Sequence, residues 1–527
     1  MSDIGKIERE TQNRVIKLFQ DELAYSYLGN WEKREGNSNV ETDILKDWLL
    51  NKRNLPANLV DKTLFEVEKI ANDQSKSLYD VNKAFYSLLR YGVNVQPATG
   101  QNRKTVWLID WENPANNDFY IAEEVTIDSR HYKKRPDIVL YINGIAVGVI
   151  ELKRSTVSIS EGIRQNLDNQ KHIFIKSFFN TIQFVVAGND VQGLKYGTIE
   201  TKEKYFLKWK EVSEEKNQTY PHLLEITKSI REKSERQTYP LDKNIVEMFN
   251  KERFIELIRD FVVFDRGIKK LCRPNQYFGV KSAQDFIRRG EGGIIWHTQG
   301  SGKSLTMVWI TKWIRKYNPN ARVLIITDRE ELDEQIEKVY IGVDEEIYRT
   351  KSGRDLLEKL NDNSPWLLCS LIHKFGGKEE VDEEDMDNYL KELKNSIPTN
   401  YSAKGDFYVF VDECHRTQSG KLHDAMKQFI PDALFIGFTG TPLLKTDKQT
   451  SLEIFGRYIH TYKFDEAVQD KVVLDLRYEA RDVEQKITSH DDIDQWFALK
   501  TQGLTDLKKA ELKQKWGTLK KVFSSKS

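Results

Sequence analysis

From about residue 263 the chain settles into an alternation that few folds accommodate, in which short, continuously apolar runs are separated by longer helical stretches. The runs are Gly293-Ile294-Ile295-Trp296, Arg322-Val323-Leu324-Ile325-Ile326, Leu367-Leu368-Cys369-Ser370, Phe407-Tyr408-Val409-Phe410-Val411 and Leu434-Phe435-Ile436-Gly437. Helices are predicted over 303–317, over 329–338 and after 420. A strand that is apolar at every position must be covered on both faces, and the intervening helices are what cover it. The pattern therefore predicts an α/β fold with a doubly wound parallel sheet. In such sheets phosphate chemistry belongs at the carboxyl ends of the strands.

The N-terminal part reads differently. A first helix carries Ile7, Val15, Ile16, Leu18, Phe19 and Leu23 near one face, and further helix is predicted over about 41–50 and 57–91. Two strands follow, Ile138–Ile142 and Ile145–Ile150, joined by the hairpin signal Asn143-Gly144. A helix around 160–177 and a strand Gln183–Ala187 complete a compact α/β unit. Residues 208–239, rich in Lys, Glu, Gln and Ser, suit an exposed, charged connector. The last stretch offers a strand candidate, Val472–Leu476, before a Lys-rich helical tail. We therefore expect a domain over 1–207, a helical connector over 208–262, a second domain over 263–465, and the beginning of a third over 466–527.

Composition narrows the classes. Lys plus Arg and Asp plus Glu balance at 81 each, which excludes a uniformly basic surface and leaves nucleic-acid binding to local clusters such as Arg130-His131-Tyr132-Lys133-Lys134-Arg135. Cys272, Cys369 and Cys414 lie far apart, so neither a zinc site nor a disulfide framework is implied. No apolar run reaches membrane-spanning length and the start Met1–Glu8 has no signal-like apolar region, so the expected location is the cytoplasm.

Two groups of residues carry chemistry. In the first, Glu151 and Lys153 stand two apart on a strand and share a face. Asp137 joins them only if the hairpin register allows it. A two-residue Asn-Gly turn would pair 137 with 150 and turn Asp137 away. A three-residue loop over Ile142-Asn143-Gly144, with Gly144 left-handed, pairs 137 with 149 and unites all three; this second form is the one predicted. Asp137 and Glu151 would then hold Mg²⁺ against a scissile phosphate, with Lys153 orienting or activating water. Glu8 or Glu10 could add a third carboxylate, and Gln165 lies on the following helix.

In the second group, Thr298-Gln299-Gly300-Ser301-Gly302-Lys303-Ser304 follows an apolar strand and opens a helix. The glycines let backbone amides approach phosphates, Lys303 reaches the β and γ phosphates of ATP, and Ser304 takes Mg²⁺. His297 stands where the stricter pattern has its first glycine. The strand ending at Val411 delivers Asp412, which would hold the metal, and Glu413, which would polarise the attacking water. His415 and the Thr439-Gly440-Thr441-Pro442 segment would link to this nucleotide site, and Gln276 in Arg273-Pro274-Asn275-Gln276 stands where an adenine-reading glutamine belongs.

These motifs, with Thr327-Asp328-Arg329, Asp412-Glu413-Cys414-His415-Arg416 and Gly437–Pro442, resemble a superfamily 2 DNA translocase. Together with Arg135-Pro136-Asp137, Glu151-Leu152-Lys153 and Phe455-Gly456-Arg457-Tyr458, the chain resembles the restriction and motor subunit of type I restriction-modification enzymes, from Ile7 to about residue 480. The resemblance implies a PD-(D/E)XK nuclease followed by a RecA-like lobe. It also implies partnership with modification and specificity subunits, and ATP-driven passage of duplex DNA before cleavage. Backbone contacts to DNA would fall to Arg329 and to Ser370 with Lys374. The family carries Q-x-x-x-Y after the nuclease lysine, whereas Gln165 is followed at the tyrosine position by Asn169. The resemblance further implies that the second RecA-like lobe lies beyond Ser527. Two rival readings remain, a translocase whose Asp137, Glu151 and Lys153 are structural, and a DNA-binding or assembly module without activity.

Overall fold

The computed structural model describes residues 3–98, 100–129, 132–212, 221–327, 330–343, 345–371, 391, 393–397, 401–414, 419–441, 452–475, 495 and 497–516. The chain divides into two compact units, Met1–Val473 and Leu474–Ser527. In the second, the described residues include a helix over Asp506–Trp516. Among the described residues no helix is long and apolar enough to cross a membrane.

The first unit contains two seven-stranded sheets. The N-terminal sheet runs β1 (Ser26–Asn30), β2 (Phe119–Glu123), β3 (Ile138–Ile142), β4 (Ile145–Leu152), β5 (Phe184–Asn189), β6 (Gly193–Gly197) and β7 (Leu207–Lys208), side by side in that order. β1 is parallel to β2 and β4 to β5, and the other neighbours are antiparallel. Helices α1 (Asp3–Asp21), α2 (Ala57–Ala71) and α3 (Leu78–Tyr91) contribute to the core on one face, and α4 (Ile159–Asn169) covers the other. Helix α3 shows why: Leu78, Val81, Phe85 and Leu89 recur at helical spacing and are buried, while the Ser77 hydroxyl caps the first turn by accepting from the Asp80 N–H. The single helix expected over 57–91 is thus two, and the helix expected over 160–177 stops at Asn169, with a short 3₁₀ turn at Lys176–Asn180.

The β3–β4 hairpin departs from expectation in an instructive way. Its turn has two residues, not three: Ile142 pairs with Ile145, and Asn143 (φ 53°) and Gly144 (φ 87°) are both left-handed, as a type I′ turn requires. The register then slips. Tyr141 pairs with Ala146 but Leu140 pairs with Gly148, so Val147 is an extra residue in β4. Packing records the slip, because Ile145 and Val147 join the same core as Ile150 and Leu152, whereas Ala146 and Val149 join the opposite one. A bulge thus does what the loop was expected to do.

The second sheet is wholly parallel, with strands β8 (Gly293–His297), β9 (Ala321–Thr327), β10 (Tyr348–Arg349), β11 (Leu367–Leu371), β12 (Asp406–Val411), β13 (Leu434–Thr439) and β14 (Tyr458–Tyr462) in the order β10-β11-β9-β12-β13-β8-β14. Edge strand β14 went unread in the sequence because Tyr-Ile-His-Thr-Tyr is neither continuously apolar nor bounded by turn residues. The strand expected at Val472–Leu476 is not formed: Val472–Asp475 are bend and coil, and Leu476 lies outside the described residues.

The two sheets share one continuous apolar core, which includes Phe19, Ile150, Phe249, Tyr277, Ile295 and Ile436. The expected connector, 208–262, supplies much of it, including Trp209 and Leu223 from the part, 208–239, that was expected to be exposed. Helices α5 (Pro221–Glu235), α6 (Pro240–Phe249) and α7 (Lys251–Asp260) bury Leu223, Leu241, Ile245, Phe249 and Phe254. Trp209 is 1% exposed. Its ring lies 6.1 Å from Tyr196 on the first sheet and 5.5 and 6.1 Å from Tyr277 and Phe278 on α8 (Pro274–Arg288), which packs against the second. Trp209→Ala is expected to cost about 3–5 kcal/mol, read as a lower denaturant midpoint. An equal loss reported by probes on both sheets would confirm that they unfold together.

Candidate active sites

β4 carries Glu151, and Lys153 continues the ladder by donating its N–H to the Gly188 carbonyl at 2.9 Å. Extending the β3–β4 register by one residue past Ile138 and Ile150 sets Asp137 opposite Glu151. The Asp137 carboxylate accepts the Leu152 N–H at 2.7 Å. Lys153 Nζ stands 3.9 Å from Glu151 and 3.9 Å from Glu8 on α1. Helix α4 presses down on this group without intervening side-chain bulk: a methyl on Gly162 would meet the Ala187 Cβ at 3.2 Å, the Lys153 Cγ at 3.4 Å and the Glu151 Cβ at 3.6 Å.

Glu151 is completely buried, and apart from the neighbouring Asp137 carboxyl and Lys153 its carboxylate oxygens meet no hydrogen-bonding group. Burial pushes its carboxyl well above the usual range and the Asp137 charge adds to the rise. Asp137 is pushed up to about 6, chiefly by burial, with the Lys153 charge and the Leu152 N–H opposing. Two buried carboxyls that repel each other, with no donor other than the Leu152 N–H and Lys153 beside them, form a set that suits a hard divalent cation, so the residues fit Mg²⁺. Among the described residues no cluster of three or more His, Cys, Asp or Glu side chains suited to a metal is formed. Glu8 faces the lysine, and Glu10 is exposed on α1. Gln165 is half-buried on α4, and Asn169 is buried at that helix's end.

The sequence did not single out Gln12 or Glu123. Glu123, at the end of β2, is buried and accepts from Arg9 at 2.8 Å, Tyr27 at 2.7 Å, Gln12 at 3.0 Å and Asn30 at 3.3 Å. Burial alone would raise its pKa, but these donors outweigh burial and hold it below the usual range. The spacing of Glu8 and Gln12, one helical turn apart, was the available signal for Gln12.

On the second sheet the loop after β8 turns through Gly300 (φ 80°) and Gly302 (φ 92°) into α9 (Lys303–Tyr317). Ser301 is buried and donates its hydroxyl to the Thr298 carbonyl at 2.5 Å, and the Thr298 N–H donates to Tyr462 on β14 at 2.9 Å. Gln276 braces the loop from behind, donating to the Gly302 carbonyl at 2.9 Å and accepting the Arg273 N–H at 2.8 Å. Lys303 Nζ lies 3.7 Å from Glu413, whose φ of 48° bends the chain sharply after β12. Asp412 is buried and accepts the Glu413 N–H at 3.0 Å. The Thr439–Thr441 turn closes the group: Thr439 and Thr441 exchange two hydrogen bonds of 3.3 Å, and a methyl on Gly440 would stand 2.8 Å from Lys303 Nζ. Ser304 is half-buried in the first turn of α9. His297, in place of a glycine, is buried against His460 with ring nitrogens 2.8 Å apart. Ser370 is buried at the end of β11 and receives the Thr350 hydroxyl at 3.0 Å. Arg329, His415, Lys374 and Pro442 lie outside the described residues.

Both regions match known families. Residues 6–204 match the type I restriction enzyme R protein N terminus, and residues 275–510 match the SWI2/SNF2 ATPase family. A putative type I restriction enzyme endonuclease subunit, MjaIXP, of Methanocaldococcus jannaschii is 28% identical over 504 residues, covering 91% of this chain and 46% of that protein. The HindI endonuclease subunit of Haemophilus influenzae is 30% identical over 475 residues, covering 83% and 42%. Over most of its length the chain is thus similar to type I restriction enzyme endonuclease subunits. This R-subunit relative spans less than half the length of those curated proteins. Among solved structures, the Sulfolobus solfataricus SWI2/SNF2 ATPase core in complex with dsDNA is 16% identical, covers 40% of each chain and has a TM-score of 0.28.

The carboxyl pair sets a pH dependence whose sign is opposite to that of an ordinary ion pair. Asp137 keeps its proton in the folded state to about pH 6 but loses it near 3.8 when unfolded, so without metal the stability falls as pH rises from 3.8 through 6. In EDTA, Asp137→Asn is expected to match the parent near pH 4 and to exceed it above pH 6, by up to about 3 kcal/mol for a shift of about two pKa units. Adding Mg²⁺ at pH 7 should raise the parent's melting temperature and leave the variant's unchanged. Parallel pH profiles for the two proteins would show that the pair carries no such strain.

Proposed function

We propose that this chain is the nuclease and motor part of a type I restriction-modification enzyme, cutting unmodified duplex DNA under ATP control together with modification and specificity subunits. The observation that carries the proposal is Glu151: a fully buried carboxyl whose polar neighbours are a second buried carboxyl and a lysine is costly to keep as mere scaffold. It also disfavours the rival reading in which the N-terminal unit is only a scaffold.

In the nuclease, Asp137 and Glu151 would hold Mg²⁺, which supplies Lewis-acid polarisation of the scissile phosphate and a more acidic water. Lys153, on the same strand face, offsets charge at phosphorus and orients the attacking water. Glu8 holds the ammonium from the opposite side at 3.9 Å.

In the motor, the amides after Gly300 and the N-terminus of α9 receive the phosphates of ATP, and Ser304 and Asp412 would hold its Mg²⁺. Lys303 exchanges its Glu413 partner for the β and γ phosphates when nucleotide enters. Glu413 would then polarise the attacking water. Gln276 joins the phosphate loop to the segment expected to read adenine. Duplex DNA would be followed through its backbone, since a motor must pass any sequence.

The test is cleavage of supercoiled plasmid by the full-length subunit assembled with its modification and specificity partners, with Mg²⁺ and with or without ATP. Glu151→Ala is expected to abolish cutting and keep ATPase activity, and Lys303→Ala to abolish both. Normal cutting by Glu151→Ala would transfer the assignment to a translocase with a structural N-terminal unit. Retained DNA binding by the parent protein, with neither ATPase activity nor cutting, would favour an assembly module.

A further inference from the structure

Helix α1 reaches the carboxyl pair through Glu8 beside Lys153 and Gln12 beside the Asp137 main chain, and polar contacts fix it at two places. On one side Thr11 donates to Asp190 at 3.1 Å, and Arg14 bridges Asp190 at 2.5 Å and Asp242 at 2.8 Å, which ties α1 to the end of β5 and to α6. On the other side Gln12 donates to Glu123 at 3.0 Å and to the Asp137 main-chain carbonyl at 3.3 Å. That carbonyl also accepts the Glu124 N–H at 2.9 Å, from a residue whose φ of 52° turns the chain back on itself directly after Glu123. The main chain at Asp137 is thus gripped by two donors, and both depend on where Glu123 sits.

We infer that Gln12 and Glu123 are positioning residues of the proposed metal site: Glu123 gathers α1, β1 and β2 around one buried carboxylate, and Gln12 transmits that anchorage to Asp137. This rests on the nuclease reading above. The geometry explains why a buried carboxylate with four donors stands beside the carboxyl pair without joining it. Glu123 is saturated by Arg9, Tyr27, Gln12 and Asn30, so its oxygens are committed to neighbours and those of Glu151 are not. It also explains the placement of Glu8. Gln12 fixes the rotation of α1, and one turn earlier on the same face Glu8 meets Lys153. The helix itself does not need Gln12 to stay in place, because Val15, Ile16, Phe19 and Leu23 bury its apolar face in the core.

Loss of an outer partner that orients a ligand weakens metal binding by about tenfold or more. The test is titration of the full chain with Mn²⁺ in the absence of nucleotide, following free Mn²⁺ by electron paramagnetic resonance. The site is defined as the binding that Glu151→Ala removes. Gln12→Ala is expected to weaken that site by about tenfold while the melting temperature and the ATP affinity stay close to the parent's. Parental Mn²⁺ affinity in Gln12→Ala, with binding lost in Glu151→Ala, overturns this inference and leaves the metal site standing. A loss of affinity that only tracks a falling melting temperature overturns it as well. Binding unchanged in Glu151→Ala overturns the metal site and the inference with it.

Discussion

A carboxyl group taken fully out of water and given no hydrogen-bond donor destabilises a fold by several kcal/mol unless it keeps a proton or gains a cation. Glu151 is in that position, and the surrounding N-terminal unit is built to keep it there. The bulge at Val147 turns Asp137 onto its face, Gly162 lets α4 seal the group from above, and α1 closes the open side with Glu8, Gln12 and Arg9. Lys153 offsets part of the repulsion between the carboxyls, at a distance too long for a hydrogen bond. Such an arrangement favours whatever divalent cation can reach it, which is what a metal-dependent nuclease requires.

The second constraint is the continuity of the core. Two sheets joined by an exposed linker would move independently, but here α6, α7 and Trp209 fill the space between them with side chains packed from both. Tyr196 on β6 donates its hydroxyl to the Cys272 carbonyl at 2.8 Å, next to Arg273 and Gln276, which brace the phosphate loop. Buried Lys269 reaches back from the hairpin before α8 to Asn82 and Gln183 at 2.8 and 2.6 Å. The phosphate loop and the carboxyl pair are therefore parts of one packed body.

Much of this was legible because the relevant signals are local. A loop of glycines before Lys303-Ser304, an apolar strand ending in Asp412-Glu413, and Glu151-x-Lys153 at strand spacing each state their chemistry within a few residues, and the structure brings each set to the expected strand end. The connector was misread because its charges were counted while Trp209, Leu223 and Leu241 were discounted, and those few apolar residues decide burial. Strand β14 was missed because Tyr-Ile-His-Thr-Tyr has no continuous apolar run, and the burial of His460 against His297 on the adjacent strand is not visible in sequence. Glu123 carried no signal at all, since its meaning lies in four donors drawn from α1 and β1.

The sequence by itself determined the residue types that phosphate and metal chemistry demand, the parallel sheet that presents the nucleotide loop, and the family to which these motifs point. Only the tertiary structure decided whether Asp137 faces Glu151. In a strand the side chains alternate, so one inserted residue reverses every assignment beyond it, and no local preference marks Val147 as that residue. Burial likewise belongs to the fold: a carboxylate on a strand reads the same exposed or enclosed, and it is the helices laid over Glu151 that make it a site.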